Sequence, residues 1–416
     1  MSVVFYRLFL FLYTCGIGIA SLFNKKARLW LEGRKNIFQK LEESFDKNTS
    51  PVIWLHCASL GEFEQGRPLL EQLKKDYPAY KILLTFFSPS GYEVHKHYAL
   101  ADYVFYLPMD NSKNAKAFLS IVQPQLIVFV KYEFWYFYLT EIKKQNIPFV
   151  LVSAIFRGNQ PFFKWYGSLH RKMLHCFSQL FVQDDASKKL LSSISINNVT
   201  VCGDTRVDRV SAVADQWHSI PEIETFCAHH QVIVCGSTWE EDDEELNHYV
   251  NKNAAIRFII APHEIDEDRL KECLGFYKNA MLYSDYLKTT VAAENINTII
   301  IDNIGLLKRL YKYGDICFVG GGFGGDGVHN VLEPAVYHKP VVFGPVYEKY
   351  REAVELEEAG AAFSADNTLE LEAVFNDLFA DKKMYDDACD AAADYINHNS
   401  GATKAIEKYI RENILK

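Results

Sequence analysis

No CxxC pair occurs anywhere in the 416-residue chain, although nine cysteines are present, at positions 15, 57, 176, 202, 227, 235, 273, 317 and 389. Zinc frameworks need closely spaced ligands, so this scatter argues against a structural metal. Most of the nine sit in apolar runs, as buried free thiols of a reducing compartment do. An excess of basic charge is missing as well. Lys and Arg number 44 against 53 Asp and Glu, a net charge of −9. A nucleic-acid binder would show a basic domain, so no nucleic-acid partner is expected. Internal repeats and low-complexity segments are also lacking. What remains, 49% apolar and 23% charged residues, is ordinary for a globular protein. The length favours two domains, because one core rarely grows past about 250–300 residues.

Long apolar runs are scarce, with one exception. Residues 3–23, "VVFYRLFLFLYTCGIGIASLF", hold a single charge, Arg7. As a helix rising ~1.5 Å per residue, the run is about 30 Å long, enough to span a bilayer core. Lys25, Lys26, Arg28, Arg34 and Lys35 follow it, and little positive charge precedes it. The positive-inside rule then leaves the rest of the chain in the cytoplasm. A cleaved signal peptide would carry its basic residues before the apolar run. Residues 1–24 are therefore read as an uncleaved anchor, either spanning the membrane or lying in its interface, with membrane lipid as a partner.

Beyond the anchor, apolar runs alternate with helical patterns. Strands are expected at Val52–Ala58, Lys81–Phe87, Tyr103–Leu107, Leu126–Lys131, Pro148–Ala154 and Leu180–Gln183. Helices fit between them at Glu62–Asp76, Ser112–Val122, Glu133–Gln145, Phe162–Phe177 and Asp184–Ser193. Short β-rich runs without polar alternation suit a parallel sheet covered on both faces. The pattern restarts after residue 206, with strands at Val232–Gly236, Arg257–Ala261, Thr298–Ile301, Ile316–Gly320 and Pro340–Gly344. The expected organisation is an α/β domain over 25–205, a second over 206–395, and a C-terminal helix, 396–416, returning to the first domain. Two doubly wound Rossmann-like domains in tandem create an interdomain cleft, and such sheets bind ligands beyond the carboxyl ends of their strands.

Two stretches stand at such ends. In "HCASLGEFEQGRPLLEQL", residues 56–73, an apolar strand runs through a small-residue turn into a helix whose first turn carries Glu62. A strand-to-helix start is usually an anion site, so a carboxylate there invites a chemical reading. Loop amides around Ser59 to Gly61 and the helix start are expected to favour its ionised form. In "CFVGGGFGGDGVHNVLEPAVYHKPVVFGP", residues 317–345, a strand ends in a glycine-rich loop that includes Gly321 and Gly322. Asn330 could cap the next helix, and Glu333 in its first turn could take two ribose hydroxyls. The loop matches neither a Walker A pattern nor a dinucleotide fingerprint. Together with "HNVLEPA" it reads as a sugar-nucleotide site.

"GVHNVLEPAVYHKPVVFGP" resembles the nucleotide-binding loop of the 3-deoxy-D-manno-octulosonic acid (Kdo) transferases, a family of GT-B glycosyltransferases. "ASLGE" resembles their S-x-G-E turn, and "KYEFW", "GSTWEEDDE" and "APHEIDEDR" fall in matching order. The resemblance covers essentially the whole chain. It implies inverting transfer of Kdo from CMP-Kdo to a lipid A precursor, in lipopolysaccharide synthesis at the cytoplasmic face of the inner membrane. No cofactor or metal is implied. Carried over residue by residue, Glu62 is the proton acceptor. Pro262, His263, Ile304, Gly305, Leu306, Asn330, Val331, Leu332 and Glu333 match positions that hold CMP. The family commonly has Arg where His263 stands. It often reads E-T-E-L-W where this chain has Lys131 to Trp135, and it often has Lys at Arg206; both positions are thought to stabilise the transition state. Arg206 keeps the charge, Lys131 reverses it, and Glu133 keeps the second Glu position.

Other residues have blander readings beside functional ones. Ser237 and Thr238 could donate to phosphate or cap a helix. Glu240 to Glu245 read as a solvated helix start rather than a metal site. Arg157, Lys164, Arg171 and Lys172 read as a solvated basic face or as contacts to lipid phosphate. His329 and His338 read as loop and packing residues. Two rival functions stay open at this point, a sugar-nucleotide epimerase of the same fold and a non-catalytic, membrane-tethered nucleotide-sugar binder.

Overall fold

The computed structural model describes residues 3–288 and 295–415. Two sheets of seven parallel strands form within these residues, each at the centre of its own compact unit. Unit one comprises the chain up to Asp208 together with Asn399 onward, and unit two runs from Arg209 to His398. In unit one the strands are β1 Val52–Cys57, β2 Lys81–Phe86, β3 Tyr103–Tyr106, β4 Pro124–Val130, β5 Phe149–Ala154, β6 Gln179–Val182 and β7 Val199–Val201. They lie in the order 3-2-1-4-5-6-7. Unit two holds β8 Val232–Thr238, β9 Arg257–Pro262, β10 Ala280–Leu282, β11 Thr298–Ile300, β12 Ile316–Val319, β13 Val341–Phe343 and β14 Ala362–Ser364. Their order is 10-11-9-8-12-13-14. The expected pair of doubly wound α/β units is present.

The strands are buried on both faces, which is why they read as unbroken apolar runs. Along β1, Val52 and Trp54 join one core layer while Ile53, Leu55 and Cys57 join the other. The helix Leu60–Asp76 packs Leu69, Leu70 and Leu73 into that second layer, where Ile406, Ile410 and Leu415 of the tail meet them. Each such leucine contributes roughly 1.5–3 kcal/mol by leaving water. The tail is helical but not continuous. It breaks at Ser400 and Gly401 into Lys382–Asn399 and Ala402–Asn413, and Asp208 takes the free N–H groups of Gly401 and Thr403 at 2.5 and 2.6 Å.

Three strands had no signal in the sequence: β7, β10 and β14, each of three residues. All three lie at sheet edges, where one flank is unpaired and a long apolar run is not needed. Two expected helices need correction. The one expected from Glu133 begins at Tyr136, because residues 131–135 turn first, with Lys131 at φ 60. The one expected over Phe162–Phe177 is a 3-10 turn, Pro161–Phe163, followed by a helix, Ser168–Leu174. Gly167 between them lies so close that an added Cβ would stand 1.9 Å from the Pro161 carbonyl oxygen.

The apolar segment forms a helix, α1 Val3–Ala20, the one helix among the described residues long and apolar enough to cross a membrane. Tyr6 and Leu10 are buried against unit one, while Phe5, Phe9, Leu12 and Ile19 are exposed.

Candidate active site

In each sheet the strand order reverses at one place, between β1 and β4 in unit one and between β8 and β12 in unit two. Loops leaving such adjacent strands splay apart and leave room for a ligand. In unit one, Glu62 follows β1, Lys131 and Glu133 follow β4, and Arg206 follows β7, whereas the basic residues Arg157, Lys164, Arg171 and Lys172 follow β5.

Glu62 stands in the first turn of the helix that follows β1. Its Oε2 accepts the Ala58 N–H at 2.5 Å. That amide and the Ser59 amide favour the ionised form, as does Lys131, but burial and the charge of Glu133 outweigh them and push the carboxyl up to about 8. The expectation that the helix start holds Glu62 ionised is thus corrected. The loop amides are present, but desolvation is the larger effect. Glu133, after β4, is buried. Its Oε2 receives the Trp135 indole N–H at 2.6 Å and lies 2.9 Å from His56 Nε2. The other nitrogen of His56 meets Thr85, with Oγ1 at 2.9 Å and the carbonyl at 3.1 Å.

Lys131 and Arg206 converge on Gln65, one turn beyond Glu62 on the same helix. With the Gln65 amide oxygen turned toward them, it accepts from Lys131 Nζ at 2.9 Å and Arg206 Nε at 3.3 Å. Arg206 also clasps Asp204 through Nε at 3.1 Å and Nη2 at 2.8 Å. Unit one therefore gathers all four of its expected residues, Glu62, Lys131, Glu133 and Arg206. His56, Gln65 and Asp204 complete the cluster and had gone unassigned. Their signal was there: His56 is the one polar residue in an otherwise apolar strand, and Gln65 lies at i+3 from Glu62 on a helix face.

In unit two, Pro262 ends β9 and His263 follows it. The His263 ring stacks on Trp239 at 4.6 Å and on His329 at 4.3 Å. Trp239 Nε1 donates to His329 Nε2 at 2.9 Å, so His329 is an acceptor there. Burial, with His263 beside it, lowers the His329 pKa to about 4. His329 is thus a packing residue that also holds His263. Asn330 donates to Glu333 Oε1 at 3.3 Å and accepts the Leu332 N–H at 3.3 Å. Lys308 Nζ, from the short helix Leu307–Leu310 that follows the Ile304–Leu306 turn, lies 3.9 Å from the same Glu333 oxygen. Gly305 has φ 98 and Ile304 is exposed. Burial raises the Glu333 pKa, opposed by Lys308, Asn330 and Arg209. Val331 and Leu332 are core side chains, so only their backbone can face a ligand.

Two expectations fail here. Ser237 and Thr238 do not cap the following helix; they are the last residues of β8, and Trp239 holds the cap position, where its backbone N–H donates to Asp242 Oδ2 at 2.9 Å. The run Glu240–Glu245 is not a solvated face throughout, since Asp242 and Asp243 are fully buried. Asp242 accepts the N–H groups of Gly321 at 2.7 Å and Trp239 at 2.9 Å, with Phe323 at 3.4 Å. The Gly321 amide of the glycine-rich loop is therefore already engaged. Gly322 runs so close to Gly344 that a Cβ would stand 2.5 Å from its nitrogen. The loop is shaped by its neighbours as well as by any ligand.

A family model described as "3-Deoxy-D-manno-octulosonic-acid transferase (kdotransferase)" matches residues 33–209. The 3-deoxy-D-manno-octulosonic acid transferase of Aquifex aeolicus is 30% identical over 348 residues, 81% of this chain and 88% of the relative. The corresponding transferase of Haemophilus influenzae is 25% identical, over 87% of this chain and 88% of the relative. Among solved structures, UDP-GlcNAc 2-epimerase from Neisseria meningitidis bound to UDP-GlcNAc aligns with a TM-score of 0.58 at 17% identity. It covers 87% of this chain and 100% of that one. A likeness at that identity concerns the fold alone.

Proposed function

The chain belongs to the 3-deoxy-D-manno-octulosonic acid transferase family of glycosyltransferases, and we propose that it moves Kdo from CMP-Kdo onto a lipid A precursor at the cytoplasmic face of the inner membrane. The observation that carries the chemistry is the cluster around Glu62. A carboxyl poised near 8 by burial and by Glu133 has the proton affinity of an effective general base. Glu62 takes the proton of an acceptor hydroxyl as its oxygen attacks the anomeric carbon. CMP leaves as a stabilised phosphate anion and needs no acid. Lys131 and Arg206, held on Gln65, supply positive charge beside the base. In unit two, His263 meets the donor phosphate and Glu333 the ribose, with Pro262, the Ile304–Leu306 turn and the Asn330–Glu333 segment around the nucleotide.

Incubation with CMP-Kdo and the lipid acceptor, followed by mass spectrometry, tests this reading. A Kdo mass increment on the lipid is expected. Isomerised donor without lipid product would favour an epimerase, and donor binding with no product a non-catalytic binder.

Calorimetry gives a second check. CMP affinity of Glu333→Ala should fall by at least about 1.5 kcal/mol, the scale of a hydrogen bond to a charged group. Equal affinity would remove Glu333 from the ribose, and a preference for UDP would reject the donor assignment.

Membrane attachment is assigned to α1. A chain lacking residues 1–23 should leave the membrane fraction. One that still sediments wholly with membranes would assign attachment to another surface, such as the basic residues near Arg157.

A further inference from the structure

Beneath α1 lies a groove of about 520 Å³. Leu10, Phe11 and Thr14 of α1 line one side, and Met109 and Phe137 line the other. The helix is not free to roll into it. Tyr6 donates its hydroxyl hydrogen to Asp110 Oδ2 at 2.7 Å, and the Tyr136 N–H reaches the Tyr6 oxygen at 3.3 Å. Asp110 in turn accepts the Phe137 and Tyr138 N–H groups, both at 3.0 Å. Three donors therefore fill the one carboxylate in the lining. The cation there, Arg7, lies 5.2 Å over the Phe137 ring. What the groove offers a ligand is an apolar trough beside a positive charge.

Its place narrows the ligand. The opposite face of α1 exposes Phe5, Phe9 and Leu12, a surface for hydrocarbon, so the groove adjoins the region from which lipid chains arrive. Its other wall leads to the chemistry. Phe137 stands four residues beyond Glu133, and the intervening Trp135 donates to the Glu133 carboxylate. A chain lying along Phe137 thus has its polar end near the residues that act on the acceptor.

We propose that this groove seats one acyl chain of the lipid acceptor, with an anionic phosphate of that lipid against Arg7; the proposal rests on the transferase reading above. The groove serves chiefly to position the acceptor. A chain leaving a bilayer for protein exchanges one apolar surrounding for another, so little affinity is gained in that step. For an acceptor taken from water, each methylene buried is worth about fourfold in affinity.

The test uses the full chain with two water-dispersed acceptors, one carrying short acyl chains and one fully deacylated. Wild type should show a KM at least about 10-fold lower for the acylated acceptor, as burial of a few methylenes gives. Met109→Trp fills the groove, and this preference should collapse toward unity. A folded Met109→Trp that keeps the full preference overturns the proposal. A direct measurement stands beside it, in case the variant does not fold. Dodecyl phosphate carrying a terminal diazirine, irradiated with wild-type protein in lipid nanodiscs, should label the Leu10–Thr14 segment or Phe137, with labelling suppressed by acylated acceptor. Labelling confined to Phe5, Phe9 and Leu12 overturns the groove. If wild type transfers sugar to neither acceptor, the transferase reading fails, and the labelling pattern still decides the groove.

Discussion

Transfer by Glu62→Gln is expected to fall by about 10²–10⁴-fold, the usual contribution of a positioned general base. The amide keeps the shape of the carboxylate and loses only its proton affinity. CMP affinity should stay close to that of wild type, because the residues assigned to the nucleotide belong to unit two and Glu62 to unit one. Wild type should also show a distinctive pH dependence. The base acts only when ionised, and its pKa is raised to about 8 by burial first and by Glu133 second. Below that value the protonated fraction dominates, so the rate should climb about tenfold per pH unit and level off above pH 8. Removing the neighbouring charge in Glu133→Gln lowers the proton affinity of Glu62, and the climb should move to lower pH. Paired CMP titrations and transfer assays between pH 6 and 9 check both expectations. Near-normal turnover of Glu62→Gln would return Glu62 to an ordinary helix-start acid.

Most of this geometry could be read from the chain, for identifiable reasons. Both sheets were legible because parallel strands buried on two faces leave unbroken apolar runs, and "VIWLHC" and "RFIIAP" are such runs. The first-turn position of Glu62 was legible because a small-residue turn after a strand leaves few other conformations. The proton affinity of Glu62 was not. It depends on Glu133, which is 71 residues away in sequence and arrives only when β4 pairs with β1. The same holds for Asp242. In sequence it is one acid among six in a polar run, and only the folded chain brings the Gly321 amide to it. Helix boundaries failed where tertiary contacts override propensity. Residues Glu133–Trp135 look helical, but Glu133 and Trp135 are drawn into the polar cluster around His56, and the chain turns to let them reach it.

The buried acid beside Asp242 carries the second large effect. Asp243 is fully buried and pairs with Arg269 through Oδ2, while its Oδ1 accepts the Tyr277 hydroxyl hydrogen at 2.8 Å. Asp243→Ala leaves a buried guanidinium and a buried hydroxyl without that acceptor. Breaking one side of such a pair costs about 3–5 kcal/mol, so the denaturant midpoint of unit two should drop clearly. The pair itself need not be worth that much. Two charges taken out of water repay little beyond their own desolvation, so Asp243→Leu combined with Arg269→Met should recover most of the loss. Function follows the same bond. Arg269 also reaches the Thr238 carbonyl at 3.4 Å, and that carbonyl accepts the His263 N–H at 3.0 Å. The pair thereby braces the end of β8, from which Trp239 stacks on His263. Asp243→Ala should weaken CMP binding even at temperatures where unit two remains folded, and the double variant should restore stability more fully than affinity. Equal recovery of both would show that the pair acts on the fold alone. No loss of stability in the single variant would show that Arg269 finds another acceptor, with Glu272, already 2.8 Å from its Nη1, the nearest at hand.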